Sequence, residues 1–228
     1  MVINFLNLIL IMKFKNFLIA IVVLVILKVP FDKCMEKYDD LELCAGPSIV
    51  PNDLPEEFSF LAFKTVDEFV RKTKNLDYEY LIYFDYCTGE ILKCFGGIED
   101  NVVAEYDIDE FKGKHVASLH NHPRDVFSPP SGKNFGILLR DFEDYELIAG
   151  YDCLWILKAK GVDIGLNVEL KVYADLLLDS CQEFCRKKYG DNSKAYDVCD
   201  IIYGVMLSNY LNDKNINHIQ LTKMEYKP

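Results

Sequence analysis

The sequence predicts an α/β (α+β) fold, in which helices flank a mixed β-sheet and a helical hairpin lies near the carboxy terminus. Short segments with the alternation or composition of strands recur between residues 78 and 159. A helical pattern interrupts them after Ser131, and two longer helical patterns follow over residues 168–186 and 193–211. Strand pairs separated by single helices and followed by two terminal helices are typical of a sheet covered by helices.

Length and composition limit the classes of protein to consider. The chain has 228 residues, half of them hydrophobic, which suits one substantial domain with an appendage. A net charge of −11 without a basic stripe argues against a nucleic-acid partner. Eight cysteines without a Cys-x-x-Cys pair are typical of buried thiols in a reducing compartment. We divide the chain into an apolar segment (1–30), a linker or arm (31–55), a core (56–161) and a carboxy-terminal part (162–228).

The apolar segment leaves two interpretations open. Residues 17–27 carry no charge and follow two lysines, as in a signal sequence, but no small-x-small cleavage site comes after them. As a helix these residues would span about 17 Å, less than the ~30 Å hydrocarbon core of a bilayer. We predict an uncleaved membrane anchor, and the lysines beyond it favour a cytoplasmic main domain. The alternative is a buried strand or helix of a soluble cytoplasmic protein.

The first predicted elements of the core are a helix and a β-hairpin. A short amphipathic helix begins at Thr65, a candidate amino-terminal cap with Glu68 three residues later. Residues 78–86 alternate and are rich in aromatic and apolar side chains, which predicts a strand. Residues 87–89 predict a turn, and residues 90–95 return as the second strand of the hairpin.

A histidine pair follows the next predicted strand, residues 116–119. His120 and His122 are half of the four histidines and stand two residues apart. Because alternate side chains of a strand point the same way, both imidazoles project to one side, about 7 Å apart along the chain. Two such imidazoles can bind one tetrahedral metal ion if other residues supply further ligands. The alternative is a pair of surface histidines at the end of a strand. Pro123 terminates this strand because proline lacks an N–H group.

A predicted helix comes after the histidine pair. Ser131 is its candidate cap, and residues 132–140 have helical apolar spacing. Asn134 would lie in the first turn, where its side chain could face back towards the histidines. Asp141 and Asp144 would lie further along the same helix, too far away by the helical rise to take the place of Asn134.

The remaining elements complete the predicted sheet. Residues 145–151 and 153–159 predict strands, and Trp155, the one tryptophan, is expected in the core. The helical hairpin over residues 168–186 and 193–211 precedes a short last strand, residues 219–225. Cys181 and Cys185 are one helical turn apart and are expected to pack in the hairpin rather than bind a metal. His115 is expected to be a half-exposed strand residue.

The run His120-Asn121-His122-Pro123, a short loop and then Ser131-x-x-Asn134 resembles the JAMM (MPN-plus, JAB) zinc metalloproteases. The His-Asn-His-Pro run is identical to that of the related RadC domain. The resemblance covers roughly residues 60–160, and two features differ from the family pattern. Asn134 stands where the family usually has a metal-binding Asp, and the loop before Ser131 is one residue longer.

The resemblance implies an MPN-like sheet, a Zn²⁺ cofactor and hydrolysis of an amide bond in a protein or peptide substrate, including ubiquitin-like conjugates. Three residues would hold the ion: His120, His122 and Asn134. Ser131 would donate a hydrogen bond to the developing oxyanion. The family's general base is a Glu near the start of an early strand, a position that Glu79 matches best, with Glu90 as the alternative.

Two function classes remain open at this point. The first is a zinc-dependent peptidase or isopeptidase, and the second is a catalytically silent MPN-type module that binds a partner. Because an Asn side chain is neutral, Asn134 is expected to weaken zinc retention, and Asn134→Asp is expected to tighten it. The letters His-Asn-His also suggest a nuclease, but those enzymes spread the residues over a longer unit, and the acidic charge disfavours this class.

Overall fold

The computed structural model describes residues 34–43, 49–50, 53–98, 107–123, 129–135, 142–150, 152–159, 164–190, 193–214 and 219–226. The chain divides into two compact units, Met1–Asp40 and Leu41–Pro228. In the first unit residues 34–39 are helical. The predicted membrane anchor, residues 1–30, lies outside the described residues. Within the described residues, no helix has the length and apolar character needed to cross a membrane.

The second unit, Leu41–Pro228, is built on a six-stranded mixed sheet. Its strands are β1 (Glu79–Asp85), β2 (Ile91–Ile98), β3 (Val116–Asn121), β4 (Glu143–Ala149), β5 (Cys153–Ala159) and β6 (Ile219–Glu225). The spatial order is β2-β1-β3-β4-β5-β6. Strands β3 and β4 are parallel, and the other neighbouring pairs are antiparallel. The predicted α+β class with a mixed sheet and terminal helices is confirmed.

Helices described in this unit are α1 (Phe60–Thr73), α2 (Ile164–Tyr189) and α3 (Ser193–Asp213). The cap of α1 is Ser59, whose Oγ accepts a hydrogen bond from the Ala62 nitrogen at 3.1 Å. The prediction of Thr65 as the cap is wrong, because α1 begins at Phe60. Phe60 and Leu61 are both exposed, so the first turn does not show the apolar periodicity that marks the rest of the helix.

The predicted carboxy-terminal helical hairpin is confirmed, and it forms a buried layer with β4 and β5. Trp155 on β5 is buried and meets the ring of Tyr203 on α3 edge to face, with ring centroids 6.4 Å apart. Cys181 and Cys185 are also buried in this layer, where burial raises the pKa of both thiols. They therefore act as apolar packing groups, as expected from their spacing.

The sheet brings the ends of three strands to one edge. Because β1 runs antiparallel to β3, the start of β1 lies beside the end of β3, where Leu81 pairs with His120. Because β4 runs parallel to β3, its end lies at the same edge, where His120 pairs with Ile148. The chain between these two parallel strands contains Ser131 and Asn134. The topology therefore gathers most of the residues singled out in the sequence at one place.

One aspartate lies in a different element from the predicted one. Asp144 belongs to β4 and not to a helix, and its Oδ2 accepts a hydrogen bond from the Tyr86 hydroxyl at 2.9 Å. The strand begins at Glu143, two residues before the predicted start, because its first residues are polar and hide the apolar alternation that follows. Burial, together with the hydrogen bond to Asp144, raises the pKa of Tyr86.

Candidate metal centre

The two histidines converge at the end of β3. His120 is buried within the strand, and His122 follows it, with its backbone nitrogen donating to the Ala149 carbonyl at 2.9 Å. Their Nε2 atoms lie 3.3 Å apart. Two ligands that bind one ion at 2.0–2.1 Å with a tetrahedral angle are separated by about 3.3–3.4 Å. The pair therefore has the spacing of two ligands of one ion, although a hydrogen bond between the rings has a similar length.

Ser131 and Asn134 form a tight turn beside the histidines. The Asn134 nitrogen donates to the Ser131 carbonyl at 3.0 Å. The Oδ1 atom of Asn134 accepts from the Ser131 nitrogen at 2.7 Å and from its hydroxyl at 3.0 Å. Residues 134–135 form a 3₁₀ turn, and the rest of the predicted helix lies outside the described residues. In the described chain, the Ser131 hydroxyl therefore binds Asn134 Oδ1 as a donor instead of accepting from the first turn of a helix.

The amide nitrogen of Asn134 faces His120. This Nδ2 atom lies 3.2 Å from His120 Nε2 and donates to Glu146 Oε1 at 2.9 Å. The Ser131 nitrogen defines the orientation of the amide, because a backbone N–H can only donate and therefore requires the amide oxygen on its side. The Asn134 side chain thus lies at the distance from His120 that a second ligand of the same metal ion would have. It presents an N–H group to the histidine, whereas the ligand atom of an Asn side chain would be its oxygen.

Glu146 is the site residue that the sequence reasoning missed. It lies on β4, is 6% exposed, and its Oε1 atom is 3.5 Å from His120 Nδ1. The signal that could have identified it is an ionisable residue between Tyr145 and Leu147 in the otherwise apolar part of β4, residues 145–149, since an acid in such a position needs a partner. Its contacts with Asn134 and His120 depend on the parallel pairing of β3 and β4.

Glu79 is the first residue of β1 and is half-buried. The register that pairs Leu81 with His120 puts Glu79 opposite His122 when it is continued by two residues. Directly opposed residues of antiparallel strands have neighbouring side chains on one face. A regular continuation of this register would therefore place Glu79 beside the histidine pair, the position that its assignment as a general base requires.

Two features of the fold hold the backbone at Glu79. Asn121 accepts from the Tyr80 nitrogen at 2.7 Å and donates to the Tyr78 carbonyl at 3.0 Å. A register shift in the β1–β2 pair lies between Glu79 and Tyr80, opposite Gly96. Gly96 has φ +137°, and a Cβ atom there would lie 2.4 Å from the Glu79 carbonyl oxygen. Only glycine fits at this bulge.

The alternative base and the third described histidine lie at the other end of the sheet. Glu90 follows the turn after β1, and its carboxylate accepts a hydrogen bond from Lys114 Nζ at 2.8 Å. His115 directly precedes β3 and is exposed rather than half-exposed. Because β1 and β3 each extend for about 20 Å by the strand rise, neither residue reaches the pair of His120 and His122.

The helical hairpin anchors the turn that contains Ser131 and Asn134. Asp175 on α2 accepts a hydrogen bond from the Gly132 nitrogen at 2.6 Å. Tyr203 on α3 donates to the Pro130 carbonyl at 2.6 Å. A Cβ atom at Gly132 would lie 2.3 Å from a backbone oxygen of α2. The close approach of this turn to α2 therefore requires glycine at position 132.

A second cluster, which no sequence motif predicted, could hold a metal ion. Ligand atoms of Asp152, Cys153 and Asp200 lie within 4.8 Å of one another, with Cys153 and Asp200 buried and Asp152 exposed. Lys223 Nζ is 3.9 Å from Asp200 Oδ2, so an ammonium group already neutralises part of its negative charge. The sequence gives no spacing signal here, because Asp200 is on α3 and the other two residues are at the start of β5.

Comparisons of the chain with protein-family models, curated proteins and solved structures return no match. The resemblance to the JAMM family therefore remains a prediction from the residues quoted above.

Proposed function

We propose that this protein is a zinc-dependent metallopeptidase or isopeptidase of JAMM type. The observation that supports the proposal best is the 3.3 Å separation of His120 Nε2 and His122 Nε2. This separation matches two ligands of one tetrahedral ion. The register of β1 and β3, if continued by two residues beyond the Leu81–His120 pair, would add the Glu79 carboxylate opposite His122. Two imidazoles with an adjacent acid are the donor set of a hydrolytic zinc site.

The residues of the chain divide the work of amide hydrolysis. His120 and His122 would hold the Zn²⁺ ion, which when bound polarises a carbonyl and makes water more acidic. The Glu79 carboxylate accepts a proton from the attacking water and returns it to the leaving amine. The Ser131 hydroxyl turns from Asn134 Oδ1 to the substrate, where it donates a hydrogen bond to the developing oxyanion. Asn134 fits the family's ligand position only if its amide turns over.

The substrate class follows from the resemblance and from charge. A protein or peptide, including a ubiquitin-like conjugate linked through a lysine side chain, is the substrate that JAMM enzymes take. The net charge of −11 disfavours nucleic acid as an alternative. The apolar segment of residues 1–30 would anchor the enzyme to a membrane with the main domain in the cytoplasm.

The test is cleavage of two probes, lysine-linked di-ubiquitin and a quenched fluorescent peptide library, by the full-length chain with added zinc. The proposal predicts cleavage that a zinc chelator stops and that Glu79→Gln abolishes. Glu90→Gln is the matched control, because Glu90 is exposed and paired with Lys114 at the far end of β1, and it should leave the rate unchanged. Cleavage that survives Glu79→Gln would contradict the assigned mechanism.

The second candidate function is a catalytically silent MPN-type module that binds a protein partner. The orientation of Asn134 favours it, because the amide oxygen is bound to Ser131 and an N–H group faces His120. This candidate predicts a folded chain that retains no zinc and cleaves neither probe. Zinc bound by the histidine pair would count against it.

A further inference from the structure

We propose that Glu146 is the positioning residue of this metal centre and supplies, from β4, the negative charge that Asn134 lacks. The inference rests on the proposed zinc site. Glu146 Oε1 lies 2.9 Å from Asn134 Nδ2 and 3.5 Å from His120 Nδ1. One carboxylate oxygen therefore contacts both the substituted ligand position and the first histidine.

The contact with His120 determines which ring nitrogen faces the ion. A histidine that binds a metal through one nitrogen generally presents the N–H of the other to a carboxylate. The 3.5 Å contact is electrostatic rather than a hydrogen bond, and it favours the proton on the near nitrogen, Nδ1. The lone pair of Nε2 then faces the site, where Asn134 Nδ2 lies 3.2 Å away and Nε2 of His122 lies 3.3 Å away.

Burial strengthens this effect. Glu146 is 6% exposed, and His120 and Asn134 are each 9% exposed. Electrostatic interactions are stronger away from water, and a buried carboxylate is costly unless cations or hydrogen-bond donors surround it. An ion bound to His120 would add positive charge close to Glu146. The affinity of the site for a cation should therefore depend on this carboxylate.

Glu146 acts through His120 and is not itself a ligand. A direct ligand would lie about 3.3 Å from the Nε2 atoms of both histidines. Among the described residues, the group of three potential ligands within 4.8 Å is the one at Asp152, and the histidine pair with Glu146 does not form such a group. The short contacts of Glu146 are to Asn134 Nδ2 and to the far nitrogen of His120, as expected for an outer carboxylate.

The position of Glu146 changes the expectation for Asn134→Asp. In that variant alone, two carboxylates would meet where an amide N–H now donates to Glu146 at 2.9 Å. Their repulsion opposes the gain from a charged ligand. Exchanging the two side chains, as in Asn134→Asp/Glu146→Gln, keeps one carboxylate and one amide in contact. The exchanged pair should therefore bind zinc at least as tightly as the wild type.

The experiment is a zinc competition titration on full-length wild type, E146Q, N134D and N134D/E146Q, with ¹⁵N NMR of the histidine rings before zinc is added. E146Q should weaken zinc binding by about 10–100-fold, the range for loss of an outer-shell partner. It should also reduce the population of the Nδ1–H tautomer of His120. N134D/E146Q should recover the affinity. E143Q is the matched control, because Glu143 is a second buried acid of β4. In E143Q the tautomer of His120 and the affinity for zinc should equal those of wild type.

The outcomes separate this inference from the proposed function. A folded wild type that binds no zinc overturns both. Zinc binding that is lost in His120→Ala/His122→Ala but equal in wild type and E146Q overturns the role of Glu146 alone. If E146Q does not fold, the tautomer of His120 in wild type tests the role of Glu146 instead. A proton on Nδ1 supports that role, and a proton on Nε2 overturns it.

Discussion

Asn121 Oδ1 accepts a hydrogen bond from the Tyr80 backbone nitrogen at 2.7 Å, while its Nδ2 atom donates to the Tyr78 carbonyl at 3.0 Å. The residue between the two histidines therefore binds the backbone on both sides of Glu79. Asn121 is 1% exposed, and its hydrogen bond with the Tyr80 nitrogen is buried. This contact links the end of β3 to the start of β1 and fixes the position of the proposed base.

Replacing Asn121 by leucine should separate the base from the metal ligands. Asn121→Leu leaves the buried Tyr80 N–H without its side-chain partner, which costs about 1–3 kcal/mol for a buried unsatisfied group, and it also removes the partner of the half-buried Tyr78 carbonyl. We expect a lower free energy of unfolding in urea and a loss of kcat, with zinc affinity retained because both histidines are intact. Unchanged stability together with unchanged kcat would show that Asn121 does not position Glu79.

Gly96 should be required at the bulge beside Glu79. An alanine Cβ would lie 2.4 Å from the Glu79 carbonyl oxygen, in a backbone conformation that side chains rarely adopt. Gly113→Ala is the matched control, because Gly113 has φ +76° but nothing within 4 Å of the added atom. We expect Gly96→Ala to lower the melting temperature more than Gly113→Ala does. Gly96→Ala should also reduce activity, whereas Gly113→Ala should not. Equal effects of the two substitutions would refute the steric argument.

Asp175 should stabilise the turn that carries Ser131 and Asn134. Asp175→Ala removes the acceptor of the Gly132 nitrogen, a hydrogen bond to a charged group that contributes about 1.5–3 kcal/mol. We expect weaker zinc retention and faster hydrogen exchange at the turn. Asp179→Ala, one helical turn further along α2 at an exposed position, should change neither quantity. If both variants retain zinc equally, the anchor on α2 is not needed by the site.

The ion pair between Glu57 and Lys158 should make stability depend on acid pH. The hydrogen bond from Lys158 lowers the pKa of Glu57 from 4.5 to about 2. Since the folded value is below the unfolded one, the stabilisation is present above pH 4.5 and is lost as the pH falls towards 2. The difference in unfolding free energy between wild type and Glu57→Gln should shrink over this window. A difference that does not vary with pH would contradict the pairing.

Local pattern was enough to predict much of the fold. Residues 153–159 form β5 with the predicted bounds, and the helical spacing of residues 168–186 and 193–211 identified the hairpin. These elements carry their own periodicity, so neighbouring residues suffice to recognise them. The start of α1 was missed because Phe60 and Leu61 are apolar yet exposed, and the start of β4 because its first residues are polar.

Contacts between distant strands could not be predicted in the same way. The motif identified His120 and His122, and their convergence follows from the alternation of a strand. The orientation of Asn134 depends on Glu146, which is twelve residues away and reaches it only through the parallel pairing of β3 and β4. The role of Asn121 likewise depends on the register with β1. No local property of the sequence encodes such register.

The most direct test of the proposed zinc site is the zinc content of the full-length chain beside that of two variants. His120→Ala/His122→Ala removes the proposed ligands, and Cys153→Ser/Asp200→Asn disrupts the second cluster of potential ligands. A zinc site at the histidine pair predicts one zinc ion per chain in wild type and in the second variant, and none in the first. Zinc that persists without the two histidines, or a folded wild type that takes up no zinc from excess metal, would contradict it.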